Sequence, residues 1–422
     1  MHQQSARVAV VVMAAVAMAC PADDGPQATW LDALIERETL TDDGFGLGEQ
    51  LARRGLTVSL GLTEVYQINT HGGLNTDRRK GRWAGSYDLE IEVDFETLIS
   101  LPGASAYMLA EGSWSAGLDP ISVGSVFGVN DDAGGNRKCD VTELWYEQAL
   151  FDGTVRVRLG KLDLTGGFEC RGCPAAFDGN ACANDETAQF LNSALVNNPT
   201  IPLPDNGPAL CVHVQPVERA YVAAGIADAQ ADARETGLRT AFHDEDYFFS
   251  IFEVGVAPRM DGPNGPLQGM VRAGLWYDPQ DKARNSGSTK RDDVGFYLSA
   301  DQVVLKENAD EEDAQGLAVF GRLGYADHDV SAVRCFWSLG AQYQGLLPSR
   351  EDDVIAFGAA QGRLTKAAGF TETSETVMEA YYNAAVTGWL NVSPSVQCVV
   401  NPGGTNTVKD AVVVGVRVQM AF

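Results

Sequence analysis

The chain has 422 residues, 45% of them hydrophobic, with 45 glycines and a formal net charge of −26. Beyond the N-terminus, no apolar run approaches the ~20 residues that a spanning helix needs, which excludes a helical membrane protein. The acidity argues against nucleic acid or an anionic membrane surface as a partner.

The chain opens "MHQQSARVAVVVMAAVAMACPADD". One basic residue, Arg7, precedes an apolar run from Val8 to Ala19, and Ala17-Met18-Ala19 is a small-x-small cleavage site, so residues 1–19 read as an export signal. A cut there leaves Cys20 first, a position open to lipidation, although the usual Leu of a lipoprotein box is missing. Residues 20–55 then contain helix-like material with an apolar face at Trp30, Leu34 and Ile35, expected to form a short periplasmic segment. The "GFGLG" stretch at 44–48 has no strand before it and reads as a turn.

From Leu56 onward the apolar period is two, the period of a strand. "GSYDLEIEVDFETL" places Tyr87, Leu89, Ile91, Val93 and Phe95 on one face and Asp88, Glu90, Glu92, Asp94 and Glu96 on the other. Carboxylates in such a row cannot enter a dry core without heavy desolvation. The strand must therefore stand between water and something apolar. The alternation recurs in "GMVRAGLWYD" (Val271, Ala273, Leu275, Tyr277 against Arg272, Gly274, Trp276), in "GLAVFGRLGY" and in "WLNVSPSVQCVV". It closes the chain, with Val412, Val414, Val416, Val418, Met420 and Phe422 on one face and Arg417 and Gln419 on the other. Further stretches lie near 56–66, 104–115, 141–150, 154–162, 246–257, 293–304, 335–346, 353–361 and 375–387, with weaker ones across 210–226. About fifteen or sixteen strands result, with spans near the roughly 9–11 residues that a tilted strand needs to cross a bilayer. Only closed barrels span lipid with strands, and single-chain bacterial barrels usually have an even number, so the reading is an all-β transmembrane antiparallel barrel of sixteen strands over 56–422.

Residues 163–215 form a long Pro-, Gly- and Asn-rich connection, of the kind that is normally functional, and it could fold into the barrel mouth. Five cysteines fall between positions 139 and 211: Cys139, Cys170, Cys173, Cys182 and Cys211. Export makes disulfides the default for them. The Cys170-x2-Cys173 pair with Cys182 and Cys211 could instead hold zinc, although the second pair is loosely spaced and lacks a histidine. The five histidines are scattered singly, and no nucleophile elbow, zinc-protease motif or phosphate loop is present. No catalytic residue, cofactor or metal is therefore expected, and the chain does not read as an enzyme. The acidic run 307–315 reads as a solvated loop.

The Asp-Gly pair at 152–153 marks a hairpin. Its first strand puts Glu143, Trp145 and Glu147 on one face, and its second puts Arg156 and Arg158 on one face. This combination suits a lining for polyhydroxy solutes, since charged groups bond hydroxyls and an aromatic face stacks on a sugar ring. It also suits a cross-strand salt-bridge ladder that only stiffens the wall. Arg272, Trp276 and Arg322 join the candidates on strand parity alone.

"ELWYEQALFDGTVRVRLGKLD", "GLWYD", "GFYLSADQVVL", "GLAVFGRLGYAD" and the closing "NPGGTNTVKDAVVVGVRVQMAF" resemble the carbohydrate-selective, OprB-like porins of Gram-negative outer membranes, in order from about Leu56 to Phe422. The resemblance implies a sixteen-stranded barrel that passes glucose and related sugars passively through a constriction with basic and aromatic residues. It places Arg156 and Arg158 on that lining, with Trp145 and Glu143 nearby. It further implies outer-membrane lipid as surroundings and the barrel-assembly machinery as a partner that reads Phe422. The cysteine-bearing loop and the acidity depart from the family pattern. A general, cation-preferring porin and a closed structural barrel of the envelope are the alternatives.

Overall fold

A computed structural model describes residues 30–76, 81–164, 177–183, 189–235, 239, 247–310 and 314–422. The export signal, Cys20, Cys170 and Cys173 lie outside the described residues. A short N-terminal unit ends at Arg37 and contributes the helix Trp30–Ile35. The second unit runs from Glu38 to Phe422.

That second unit is a barrel of sixteen antiparallel strands. In chain order they are β1 (Leu56–Gly73), β2 (Arg82–Asp94), β3 (Ala104–Trp114), β4 (Arg137–Leu150), β5 (Val155–Leu162), β6 (Gly207–Val217), β7 (Ala220–Asp228) and β8 (Phe248–Val256). They continue as β9 (Gly265–Asp278), β10 (Asp293–Lys306), β11 (Gly316–Tyr325), β12 (Val333–Gln344), β13 (Val354–Leu364), β14 (Ser374–Thr387), β15 (Leu390–Val400) and β16 (Lys409–Ala421). The four residues Arg259–Gly262 extend β8 against β9 after a break. Each strand pairs with its chain neighbours, and β1 pairs with both β2 and β16, from Gly61 opposite Ala421 to Gly73 opposite Lys409. Closure leaves no strand edge, which is the condition for a sheet surrounded by hydrocarbon.

The alternation read from the sequence sets the two faces of this wall. On β16, Ala411, Val413 and Arg417 are buried inside, while Val414 on the opposite face is exposed. On β9, Arg272 and Trp276 point inward and Val271 and Leu275 outward. The hairpin at 151–154 forms as its Asp-Gly pair predicts, with positive φ at Asp152 and Gly153. Connections at that end are mostly short turns, such as β6 to β7 and β14 to β15, whereas the longest loops cluster at the other end.

Two boundaries differ from expectation. β2 stops at Asp94, whose carboxylate accepts the Glu96 amide at 2.9 Å and the Thr97 hydroxyl at 2.5 Å, and the chain turns into the helix Phe95–Ile99. Glu96 therefore leaves the luminal row: a side chain that caps a helical turn ends the strand there. The loop expected to reach 215 ends earlier, because β6 begins at Gly207 and sets Cys211 in the wall. The alternation Ala209, Cys211, His213 is there in the sequence, but Pro208 and the cysteine disguise it.

Candidate functional site

The interior of the barrel is largely filled by two of its own loops. The connection between β3 and β4 (115–136) contributes Leu118, Val123 and Val129, and that between β5 and β6 (163–206) contributes Phe190, Leu195 and Val196. These pack against inward residues of β11 to β16, among them Phe320, Phe336, Ala360, Val377, Tyr381 and Val413. A second cluster seats Phe177 and Ile201 of the longer loop against Tyr221, Phe249, Trp276 and Tyr297. Gly274 and Gly295 make room there, since a Cβ on either would fall within 2.3 Å of the Tyr297 or Trp276 ring.

Backbone of a loop brought into a barrel needs partners for its polar groups, and the wall supplies them. Three carboxylates do most of this. Glu379 accepts the amides of Leu191 and Asn192 at 3.0 and 2.9 Å. Glu375 accepts those of Val126 and Gly403 and the Ser125 hydroxyl, at 2.6–3.0 Å. Glu253 accepts the Asp178 amide at 2.9 Å and the hydroxyls of Tyr221 and Tyr297 at 2.6 and 2.7 Å. Donors complement them: Arg322 bonds the Leu195 and Asp178 carbonyls, Arg417 the Gln189 carbonyl, and Gln67 and Gln397 both bond the Val129 carbonyl. Asp178 itself lies 3.5 Å from Arg322, and burial nevertheless pushes its carboxyl up to about 7.

Among the described residues, a cavity of about 450 Å³, called the passage below, lies against β1 to β4, β15 and β16. Its wall carries Asp88, Glu90, Tyr107, Glu111 and Arg137, and its inner boundary is made by the loop residues Asp131, Asp132 and Gln189. Five of these side chains are carboxylates and one is a guanidinium. Burial pushes the Asp131 and Asp132 carboxyls upward, with the neighbouring Asp132 charge adding to the rise at Asp131 and Arg417 opposing it at Asp132. Asp131 is itself exposed, which moderates the desolvation.

Five of the eight residues singled out in the sequence meet beside this passage. Glu147 accepts from Arg156 at 2.9 Å and from Arg158 at 2.9 and 3.1 Å. The Arg158 guanidinium lies 3.9 Å over the Trp145 ring, a cation–π contact. Trp145 donates its indole N–H to Glu143 at 3.0 Å and stacks on Tyr107, centroids 5.1 Å apart. Tyr107 thus carries the cluster to the edge of the passage, and Arg156, 28% exposed, is its most open charged member. The other three stand apart. Arg272 pairs with Asp301 at 2.7 Å, Trp276 stacks near Phe249, and Arg322 holds the inserted loop. All three are buried under that loop. Cys139 is an exposed and Cys211 a buried free thiol, and Cys182 is buried beneath β10 and β11.

Sequence reasoning missed the loop anchors Glu253, Glu375 and Glu379. The signal was a lone inward-parity carboxylate in an otherwise apolar strand, as in "FFSIFEVGV". Asp131, Asp132 and Gln189 gave no signal, because a loop has no periodicity to place them.

The family model described as "Carbohydrate-selective porin, OprB family" matches residues 78–422. The chain belongs to this family. It is accordingly a channel protein of the bacterial outer membrane and not an enzyme. Among relatives of this carbohydrate-selective porin, Porin B of Pseudomonas aeruginosa is 23% identical over 420 residues, covering 90% of each chain. The high-pH structure of Pseudomonas putida OprB superposes with a TM-score of 0.79 at 20% identity, covering 94% of this chain and all of that one. The low-pH structure of the same porin superposes at 0.58, covering 92% and 99%. At these identities the likeness is one of fold, and it agrees with the sixteen-stranded closure of this porin.

Proposed function

We propose that the protein passes small neutral sugars such as glucose by passive diffusion, along the passage bounded by Tyr107, Arg137 and the loop residues Asp131, Asp132 and Gln189. The observation that supports this most is the continuous contact from Tyr107 through Trp145 and Arg158 to Glu147 and Arg156. An aromatic face for the C–H side of a ring and charged groups for its hydroxyls stand side by side there, with Glu143 holding the indole. Arg272, Trp276 and Arg322 take the role of fastening the loop that narrows the bore.

Swelling of liposomes that carry the refolded protein tests this. Glucose should enter faster than neutral solutes of similar size, and Arg156→Ala should slow glucose selectively. Equal entry of all neutral solutes would replace the reading with a general porin. No entry through a verified folded barrel would replace it with a closed structural barrel of the envelope.

A second reading rests on the five carboxylates of the passage against one arginine: a preference for cations, since rings of like charge set the ion selectivity of a pore. The export signal at 1–19 and the reading of Phe422 by the assembly machinery stand as proposals alongside. Phe422→Ala should lower the yield of membrane-assembled barrel, and an unchanged yield would remove that partner.

A further inference from the structure

The outer wall carries a feature that transport does not use. Across β6 to β11 lies a groove of about 720 Å³ on the lipid-facing side. Its floor is formed by the small side chains Ala224 and Ser250, and its walls by Ile226, Phe252, Leu275 and Phe296, each of the four more than a third exposed. At its upper end, toward the long loops, stand Tyr277 and Tyr325. In barrels of this kind the longer loops are extracellular, so the groove opens toward the outer leaflet.

Directly beside that upper end are two arginines. Arg334 lies across the strand boundary from Ala326, the residue after Tyr325, its carbonyl accepting the Ala326 amide at 3.0 Å. Tyr325 is opposite Cys335 on β12, and Cys335 is opposite Arg363 on β13. At a strand spacing of about 4.8 Å, the Arg363 backbone is therefore about 10 Å from Tyr325. Both arginines are exposed, and neither forms an ion pair with any described residue. The four cations of the β9–β10 loop are each taken by acids: Lys282 by Asp278 and Asp293, Arg284 by Asp329, Lys290 by Asp327 and Arg291 by Asp281. In a chain of net charge −26, two unneutralised guanidinia at the head of an apolar groove form a pattern of their own.

We propose that this groove seats a phosphorylated glycolipid of the outer leaflet, with acyl chains along Ala224, Ser250, Phe252 and Leu275 and a phosphate on Arg334 and Arg363. An uncharged occupant would leave both guanidinia without a counter-charge, and a soluble anion would leave the groove unfilled. Guanidinium matches phosphate in bidentate fashion, and basic residues at a membrane surface attract anionic headgroups.

Native mass spectrometry of the folded protein in a non-ionic detergent tests the assignment, with hexa-acyl bis-phosphorylated lipid A and its dephosphorylated form as probes. The phosphorylated form should bind about 30-fold more tightly. The double variant Arg334→Ala with Arg363→Ala should abolish that difference, and Ser250→Trp, which fills the groove floor, should weaken both probes. Equal binding of the two probes by the unaltered protein would overturn the proposal. So would a double variant that keeps the difference, or a Ser250→Trp variant that binds as before. Heat-modifiable mobility confirms that each variant is a closed barrel. Neither arginine lines the passage, so glucose entry should not change, and the test is independent of the transport reading.

Discussion

Glu379→Ala removes one of the anchors that hold the β5–β6 loop inside the barrel, and its effect can be sized. The carboxylate is 1% exposed and accepts two loop amides at 3.0 and 2.9 Å. Hydrogen bonds to a charged group contribute roughly 1.5–3 kcal/mol each, so docking weakens by about 3–6 kcal/mol. Against this stands the burial of Phe190, Leu195 and Val196 by the same loop, worth roughly 1.5–3 kcal/mol per side chain. The apolar seat survives the substitution, so the loop should stay mostly docked while its undocked fraction rises at least about 100-fold. Single-channel recording should show this as brief openings to a higher conductance. Adding Phe190→Ala, a change that costs about 3–5 kcal/mol in a packed core, should make the high-conductance state long-lived. The wall hydrogen bonds are untouched, so the barrel itself should still show heat-modifiable mobility. A conductance histogram in the double variant identical to that of the unaltered protein would refute the view that these contacts set the bore.

Two further outcomes concern charge in the passage. A carboxylate contributes about 1 kcal/mol to an ion passing ~4 Å away in water, so Asp88→Asn with Glu90→Gln should lower the potassium-to-chloride permeability ratio several-fold. An unchanged reversal potential would place the ion path elsewhere. Because the Asp131 and Asp132 carboxyls are raised, their neutral forms persist to higher pH than in an unfolded chain. Cation preference should therefore begin to fall on acidification from pH 7 while the solution is still above the ordinary carboxylate range near ~4; a ratio that stays flat down to that range would contradict the placement of these two groups.

The wall was readable from the sequence because a strand between lipid and water leaves no freedom in its pattern. Val412 to Phe422 and Tyr87 to Val93 each state which face is which, and a slip by one residue would put Asp88 and Glu90 into hydrocarbon. The pairing of Glu147 with Arg156 and Arg158 was legible for a related reason, since a tight Asp-Gly turn fixes which residues face each other. The interior was not legible. Whether Arg322 lines an open bore or holds a loop carbonyl depends on where Leu195 and Asp178 come to rest, and no local pattern records that. The same holds for Trp276, whose inward parity was right and whose covering by the loop was invisible. Cys211 shows a third limit, because a proline at the start of a strand hides the alternation that follows it.

The seam between β1 and β16 has a consequence for how the molecule comes into being. Every other wall contact joins strands that are consecutive in the chain, and each such pair can form as soon as its two strands exist. Gly61 meets Ala421, and the Phe422 amide meets the Leu60 carbonyl at 2.9 Å, across almost the whole length of the polypeptide. Until that last pairing is made, two long strands stand with unpaired edges, and contacts of such separation are the slow ones to form. The interval before the ring shuts is the time during which the chain must be kept from its own kind, and it ends in a single step at one place on the wall.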